Sequence, residues 1–388
     1  MRVTHIITRL VVGGAQENTV ATVLGLRQRP GVEVDLISGP THGPEGSLEP
    51  AVAHYPGLLT IVPNLVRPVS PFKDWLALRQ LTRQLQARRP QIIHTHSGKA
   101  GILGRLAARR AGTPVVIHHV HGPSFGTFQG SVANWFFRAA ERYAAAATTH
   151  FVCSAHAMTK LYLGAGIGRP EMFTRVFSGF QVEPFVNATN DPGVRAELGL
   201  KAEDFVIGKV SRLAPLKGHA DLLLALRGLL PRIPNARLLL VGDGSDRRGL
   251  EEQARTYGVR DKVVFTGLVE PSEVPRLVGV MDCLAHLSYR EALSRALPQA
   301  LAAGKPVVSY DFDGADEVCL EGVTGFLVRT GSVQDVTQRL FELAVDPGLR
   351  RRLGEHGQAM VREQFPVERM IEQIYQLYQK LLGRELSV

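Results

Sequence analysis

The chain is poor in cysteine: three in 388 residues, Cys153, Cys283 and Cys319, far apart and with no C-x-x-C pair among them. That excludes a disulfide framework and a zinc knuckle, and leaves buried thiols in a reducing compartment. Long apolar runs are also missing. The N-terminal stretch is broken by His5 and Arg9, too short and too polar for a signal peptide or a membrane span, and the uncharged run at 143–158 is mostly alanine and small polar residues. A cytoplasmic protein is expected, with any membrane contact peripheral. No serine nucleophile elbow is present. No G-x-G-x-x-G follows a strand either: after Val241-Gly242-Asp243-Gly244, residue 247 is arginine where the third glycine belongs, which disfavours a nicotinamide enzyme.

Acidic charge is scarce in one half only. Residues 1–186 hold 19 Lys/Arg against 9 Asp/Glu, whereas the whole chain has 45 against 36, so the entire positive excess lies in the first half. Such a one-sided field suits an anionic partner, either a lipid headgroup surface or a phosphorylated acceptor. No nucleic-acid partner is expected.

With 45% hydrophobic residues the chain can bury more than one ordinary core, and its length points to two α/β-sized domains. Short β-branched runs alternate with longer helical periodicities, as in βαβ units around parallel sheets. The runs predict strands near 3–8, 32–37, 59–62, 91–94, 115–118 and 150–153, then near 205–211, 236–241, 263–266, 283–287 and 306–310. Between the two series, 178–192 has neither periodicity and reads as a linker. The expected architecture is α/β: two Rossmann-like domains facing a cleft, at 1–185 and 186–365. A final helix at 366–388, apolar at Met370, Ile374, Leu377, Tyr378 and Leu381, needs a partner surface.

Three places could carry chemistry. Gly13 and Gly14 stand between the first strand and a helix, where backbone N–H groups can approach an anion closely. Arg212 and Lys217, in Lys209-Val210-Ser211-Arg212-Leu213-Ala214-Pro215-Leu216-Lys217-Gly218, follow a strand and precede a helix. A guanidinium holds two phosphate oxygens at once and an ammonium adds a mobile point charge, a pair suited to a diphosphate. The third is Glu291, in a loop before a helix that leads to Gly304-Lys305-Pro306-Val307-Val308. Metal sites are not expected. Asp311-Phe312-Asp313 matches a D-x-D only superficially, and His94, His96, His118, His119 and His121 lack an evident supporting carboxylate. Those histidines are expected to end strands and face the cleft, beside hydroxyl-rich ligands.

Taken together, the Arg212–Gly218 loop, Glu291 with Gln299, the Gly-Lys-Pro-Val-Val strand start, Phe265-Thr266-Gly267 and Gly322-Val323-Thr324-Gly325-Phe326-Leu327-Val328 resemble the family 4 retaining glycosyltransferases of the GT-B fold. The resemblance covers nearly the whole chain. It implies that Arg212 and Lys217 hold a donor diphosphate and that Glu291 contacts the donor sugar, with Ala292, Leu293, Gln299 and Gly242 on the donor side. Gly13 and Gly14 would be the first glycine loop, and His121 an active-site histidine. His96, Ser97 and Lys99 fit an acceptor-side loop, and the last helix would cross back to the N-terminal domain. The implied partners are a nucleotide-diphosphate sugar, as co-substrate and not cofactor, and a glycolipid, lipid-linked oligosaccharide or other saccharide acceptor. The implied setting is cell-surface polysaccharide synthesis by a hexosyltransferase that needs no metal. The sequence departs from the pattern at Gln299, where a second glutamate is usual, at Pro298 within the following helix, and at Ala292, where glycine is common. A non-hydrolysing sugar-nucleotide epimerase shares the architecture, and a degenerate sugar-nucleotide-binding protein would also fit these departures.

Overall fold

The computed structural model describes residues 1–43, 46–122, 124–126 and 129–385. The chain forms two compact units, Met1–Phe180 with Val367–Val388, and Gln181–Pro366. The first division falls at 180/181, five residues before the expected 185/186. The reason is local: the short helix Glu183–Val186 packs on helices Val274–Gly279 and Ala296–Ala302 of the second unit, and Phe185 is buried there.

In the first unit, β1 (Arg2–Ile7), β2 (Glu33–Ser38), β3 (Leu59–Ile61), β4 (Ile92–His96), β5 (Val115–Val120), β6 (His150–Cys153) and β7 (Phe173–Arg175) make one sheet in the order β3-β2-β1-β4-β5-β6-β7. All its pairings are parallel. Parallel strands are covered on both faces, which is why β5 is buried along its whole length. One face sends Ile6, Ile37, Ile93 and Val116 against helices Pro71–Arg88 and Gly98–Ala111. The other sends Val3, Ile7, Val115 and Ile117 against helix Gly14–Arg27 and the terminal helix Val367–Glu385.

The terminal helix belongs to the first unit, as its apolar stripe requires: Met370, Ile374, Leu377, Tyr378 and Leu381 are all buried in that core. Gly25 allows the close approach, since a Cβ there would lie 2.2 Å from Ile371 Cδ1. The last residues of the expected segment, 386–388, lie outside the described residues. Where the chain returns, Val367 N–H donates to Phe180 O at 3.1 Å.

The second unit repeats the plan with β8 (Phe205–Val210), β9 (Ala236–Val241), β10 (Val263–Phe265), β11 (Cys283–His286), β12 (Val307–Tyr310) and β13 (Gly325–Val328), in the order β10-β9-β8-β11-β12-β13 and parallel throughout. In each unit the strand order reverses beside the first strand, between β1 and β4 and between β8 and β11. In open α/β sheets, ligands bind at the carboxyl ends of the strands that flank such a reversal.

Candidate functional site

In the second unit, the carboxyl end of β8 runs into the Arg212–Gly218 loop. Leu216 and Gly218 have positive φ, 65° and 68°. A Cβ on Gly218 would stand 1.9 Å from Leu287 O, so only glycine lets this loop press against the end of β11 and start helix His219–Leu229. Lys217 is thereby carried to Glu291, its Nζ donating to Oε2 at 2.9 Å. His286, at the end of β11, donates from Nε2 to the same oxygen at 3.1 Å. Burial lowers the pKa of His286, so it donates as a neutral ring. Burial alone would raise the Glu291 carboxyl, but His286 and Lys217 outweigh it and hold the group well below the usual carboxylate range. The Glu291 amide donates to Asp313 Oδ2 at 2.9 Å, which gives the last residue of Asp311-Phe312-Asp313 a backbone-holding role.

Beneath this pair lies Lys209 on β8, fully buried and with no hydrogen-bond partner for its Nζ. Burial, then the charge of Lys217, drives its ammonium down to about 7, while Glu291 and Asp221 pull the other way. Asp221 Oδ2 accepts from Tyr289 Oη at 2.5 Å and from Tyr310 Oη at 2.6 Å. Arg212 is exposed at the head of the same loop.

The remaining donor-side residues divide. Ala292 is buried and its carbonyl accepts from Gly314 N–H; Leu293 is half-buried. Helix Ala296–Ala302 starts only at Ala296, which leaves Pro298 in its first turn, where a missing N–H costs no helical bond, and leaves Gln299 half-buried on that helix. Gly242 has φ of 128°, and a Cβ there would meet Ser211 O at 2.3 Å. Its N–H already goes to Gly267 O at 3.2 Å, so Gly242 serves by letting backbone segments cross and has no amide to spare for a phosphate.

In the first unit, Gly13 caps helix Gly14–Arg27, with Gly14 exposed. Across the reversal, β1 sets His5 beside His94, and β4 sets His96 beside His119. Alternation along β4 turns His94 and His96 to one face and Thr95 to the other. His5, His94, His96 and His119 are fully buried, and only His121 is partly exposed. Of the histidines expected to end strands and face a cleft, His94, His96 and His119 are thus enclosed. His118 points the opposite way, bonded to Thr95 Oγ1 at 3.0 Å under helix Gly98–Ala111; a Cβ on Gly101 would lie 2.4 Å from its ring. Burial lowers all six rings far below the ordinary imidazole value, His5 and His121 to about 3, so all are neutral.

The residues expected on the acceptor side differ in how far they reach. His96 is enclosed and reaches outward only through His121, its Nδ1 lying 2.9 Å from His121 Nε2. Lys99 is committed to Asp74 Oδ1 at 2.5 Å and to Pro68 O. Ser97 is half-buried and holds a strained φ of 66° before helix Gly98–Ala111. Sequence reasoning missed Lys209, His286 and Tyr378 as site residues. A lysine and a histidine inside strands that otherwise read as buried were the available signals for the first two.

Two sequence profiles match the chain: "Glycosyl transferases group 1" over residues 191–360 and "Glycosyl transferase 4-like domain" over residues 13–174. The chain is 26% identical over 321 residues, 82% of each protein, to the UDP-Gal:alpha-D-GlcNAc-diphosphoundecaprenol alpha-1,3-galactosyltransferase of Escherichia coli. It is 29% identical over 280 residues, 69% of this chain and 71% of the relative, to the GDP-mannose-dependent alpha-(1-6)-phosphatidylinositol monomannoside mannosyltransferase of Mycobacterium tuberculosis. Among solved structures, that of Anabaena Alr3699/HepE in complex with UDP aligns over 98% of this chain and 100% of that one, with a TM-score of 0.82 and 23% identity, a likeness of fold.

Proposed function

The chain belongs to the group 1, family 4 glycosyltransferases of GT-B fold, and on that premise we propose that it moves a hexose from a nucleotide-sugar donor to a lipid-linked saccharide, with retention of configuration and without a metal. The observation that carries this reading is Lys217 held against Glu291 at the strand reversal of the second unit. An ammonium fixed in place by an ionised carboxylate can meet the charge that develops on a departing diphosphate, with no reorganisation at the moment of reaction. Arg212 supplies the bidentate partner from the same loop. Glu291 keeps lone pairs for the hydroxyls of the donor sugar, and Gln299 serves the ribose as a neutral amide. The backbone at Ala292 and Leu293 faces the phosphates, and the glycine loop at Gly13 and Gly14 is the first unit's own anion-approach point. His121 is the imidazole that the first unit offers to the acceptor.

The second unit is thus the donor module and the first the acceptor module. The basic excess of residues 1–186 supports an acceptor embedded in an anionic membrane, met from the cytoplasmic side. No described helix is long and apolar enough to cross a membrane. Both named relatives act on lipid-borne acceptors by their names, one from UDP-Gal and one from GDP-mannose, so the family likeness leaves the nucleotide to experiment.

The test is a panel of UDP-, GDP- and ADP-sugars with lipid-diphosphate saccharides, run with excess EDTA. The expected product is a retained α- or β-linkage matching the donor. A sugar nucleotide altered without any acceptor would establish an epimerase instead, and loss of turnover in EDTA would overturn metal independence. In vesicle sedimentation, equal binding to neutral and anionic lipid would remove the membrane part.

A further inference from the structure

Four histidines of the first unit are joined in series through a tyrosine. His94 Nδ1 lies 2.5 Å from Tyr378 Oη, which lies 3.3 Å from His5 Nε2. His5 Nδ1 is 2.9 Å from His96 Nε2, and His96 Nδ1 is 2.9 Å from His121 Nε2. A neutral imidazole has one N–H and one bare nitrogen, so each ring that uses both nitrogens in such a series must hand the same polarity to the next. The phenol has a single proton to give. Its shorter contact, to His94, is the one in which it donates, since O–H donors sit closer than N–H donors. It then accepts from His5 Nε2–H, His5 accepts from His96 Nε2–H, and His96 accepts from His121 Nε2–H. The series ends in a bare Nδ1 on the one partly exposed ring.

We infer that the Tyr378 hydroxyl, on the terminal helix, fixes His121 in the Nε2–H tautomer through His5 and His96, so that His121 presents Nδ1 to accept a hydrogen bond from an acceptor hydroxyl. Tyr378 is thus a positioning residue. The competing use of these rings is a metal site, for which His5, His94 and His96, or His96, His119 and His121, are close enough. His119, with both nitrogens buried and unbonded, is the strongest argument for it. The spacing argues against it: two nitrogens on one tetrahedral zinc would stand about 3.3 Å apart, whereas these meet at 2.9 Å. Neither group contains a carboxylate or thiolate to offset a buried dication, and the phenol would have no task.

The inference rests on the proposed use of His121, but its first readout does not. Imidazole ¹⁵N shifts of the free protein separate N–H from bare nitrogen at His5, His96 and His121. The expected wild-type spectrum has Nε2–H at all three. Tyr378→Phe keeps the ring and removes the link; His5→Phe keeps the stack on His96 and cuts the series midway, and serves alone if the first variant does not fold. Both should let His121 sample both tautomers and lower kcat about tenfold with the donor KM unchanged. A changed tautomer with unchanged kcat supports the relay and removes His121 from catalysis. Unchanged His121 shifts in a folded variant, an Nδ1–H ring in the wild type, or stoichiometric zinc in the purified protein would overturn the inference.

Discussion

The two strand reversals occupy the same place in the same topology and solve opposite problems. At β1/β4 the first unit gathers rings that burial has stripped of charge, and joins them by hydrogen bonds. At β8/β11 the second unit keeps its charges and leaves them within reach of solvent, with the side chains of Lys217 and Glu291 18% and 32% exposed. The contrast extends to the ion pairs. The first unit's Arg105–Glu141 pair is wholly enclosed, with Nη2 to Oε2 at 2.6 Å. A hidden pair is fixed structure, whereas an accessible pair can exchange its partner for a ligand. The lesson is that the reversal supplies a place, and the charge state of what fills it decides between meeting an anion and orienting a hydrogen bond.

The largest expected effect separates the two pairs. Arg105→Ala leaves a buried carboxylate alone and should cost about 3–5 kcal/mol, read by urea denaturation. Lys217→Ala should instead leave the melting temperature nearly unchanged and lower turnover about 10²–10³-fold, or about 3–4 kcal/mol of barrier. A Lys217→Ala protein that turns over normally would undo the comparison.

Protonation gives the next effect, in a separate pH window for each unit. The buried rings are neutral when folded, yet the unfolded chain takes up protons below its ordinary imidazole value near 6.5. First-unit stability should therefore be intact above about pH 6.5 and fall toward pH 3, by about 1.4 kcal/mol per pH unit for each ring. His5 and His121, lowered to about 3, span the whole window. Lys209, lowered to about 7, acts with the same sign in a higher window: its burial costs most below pH 7, and the second unit should gain stability as the pH rises from there toward 10.5. Hydrogen exchange resolved by unit would detect both slopes. The smallest effect is expected for Gln299→Glu. A charge-assisted bond to a ribose hydroxyl would gain about 1 kcal/mol, about fivefold in the Kd for UDP by calorimetry.

Most of the sheet was legible because parallel strands are apolar on both faces, so runs such as Val115-Val116-Ile117 announce themselves. β7, three half-buried residues at the sheet edge, offers no such run and escaped notice. Gly325–Val328 stood out only through the family pattern. Arg212, Lys217 and Glu291 stood out as candidates because each lies in a loop just past a strand. Lys209 and His286 carry a weaker signal, a polar residue inside a strand that otherwise reads as buried, and nothing in a sequence says which way such a residue faces at a reversal. Tyr378 was read as part of an apolar stripe, correctly, but its hydroxyl meets His5 across 373 positions of sequence, a proximity no local pattern encodes.

Because Phe180 and Val367 are hydrogen-bonded neighbours, the whole of Gln181–Pro366 is an insertion within the first unit. A ribosome therefore releases the inserted module entire while its host still lacks a helix. Until that helix emerges, the apolar face around Val3, Ile7 and Val23 has no cover, and His5 and His94 have no phenol. Assembly of the imidazole series thus waits for that helix, and a nascent chain can enclose Lys209 and seat Lys217 before His121 is set.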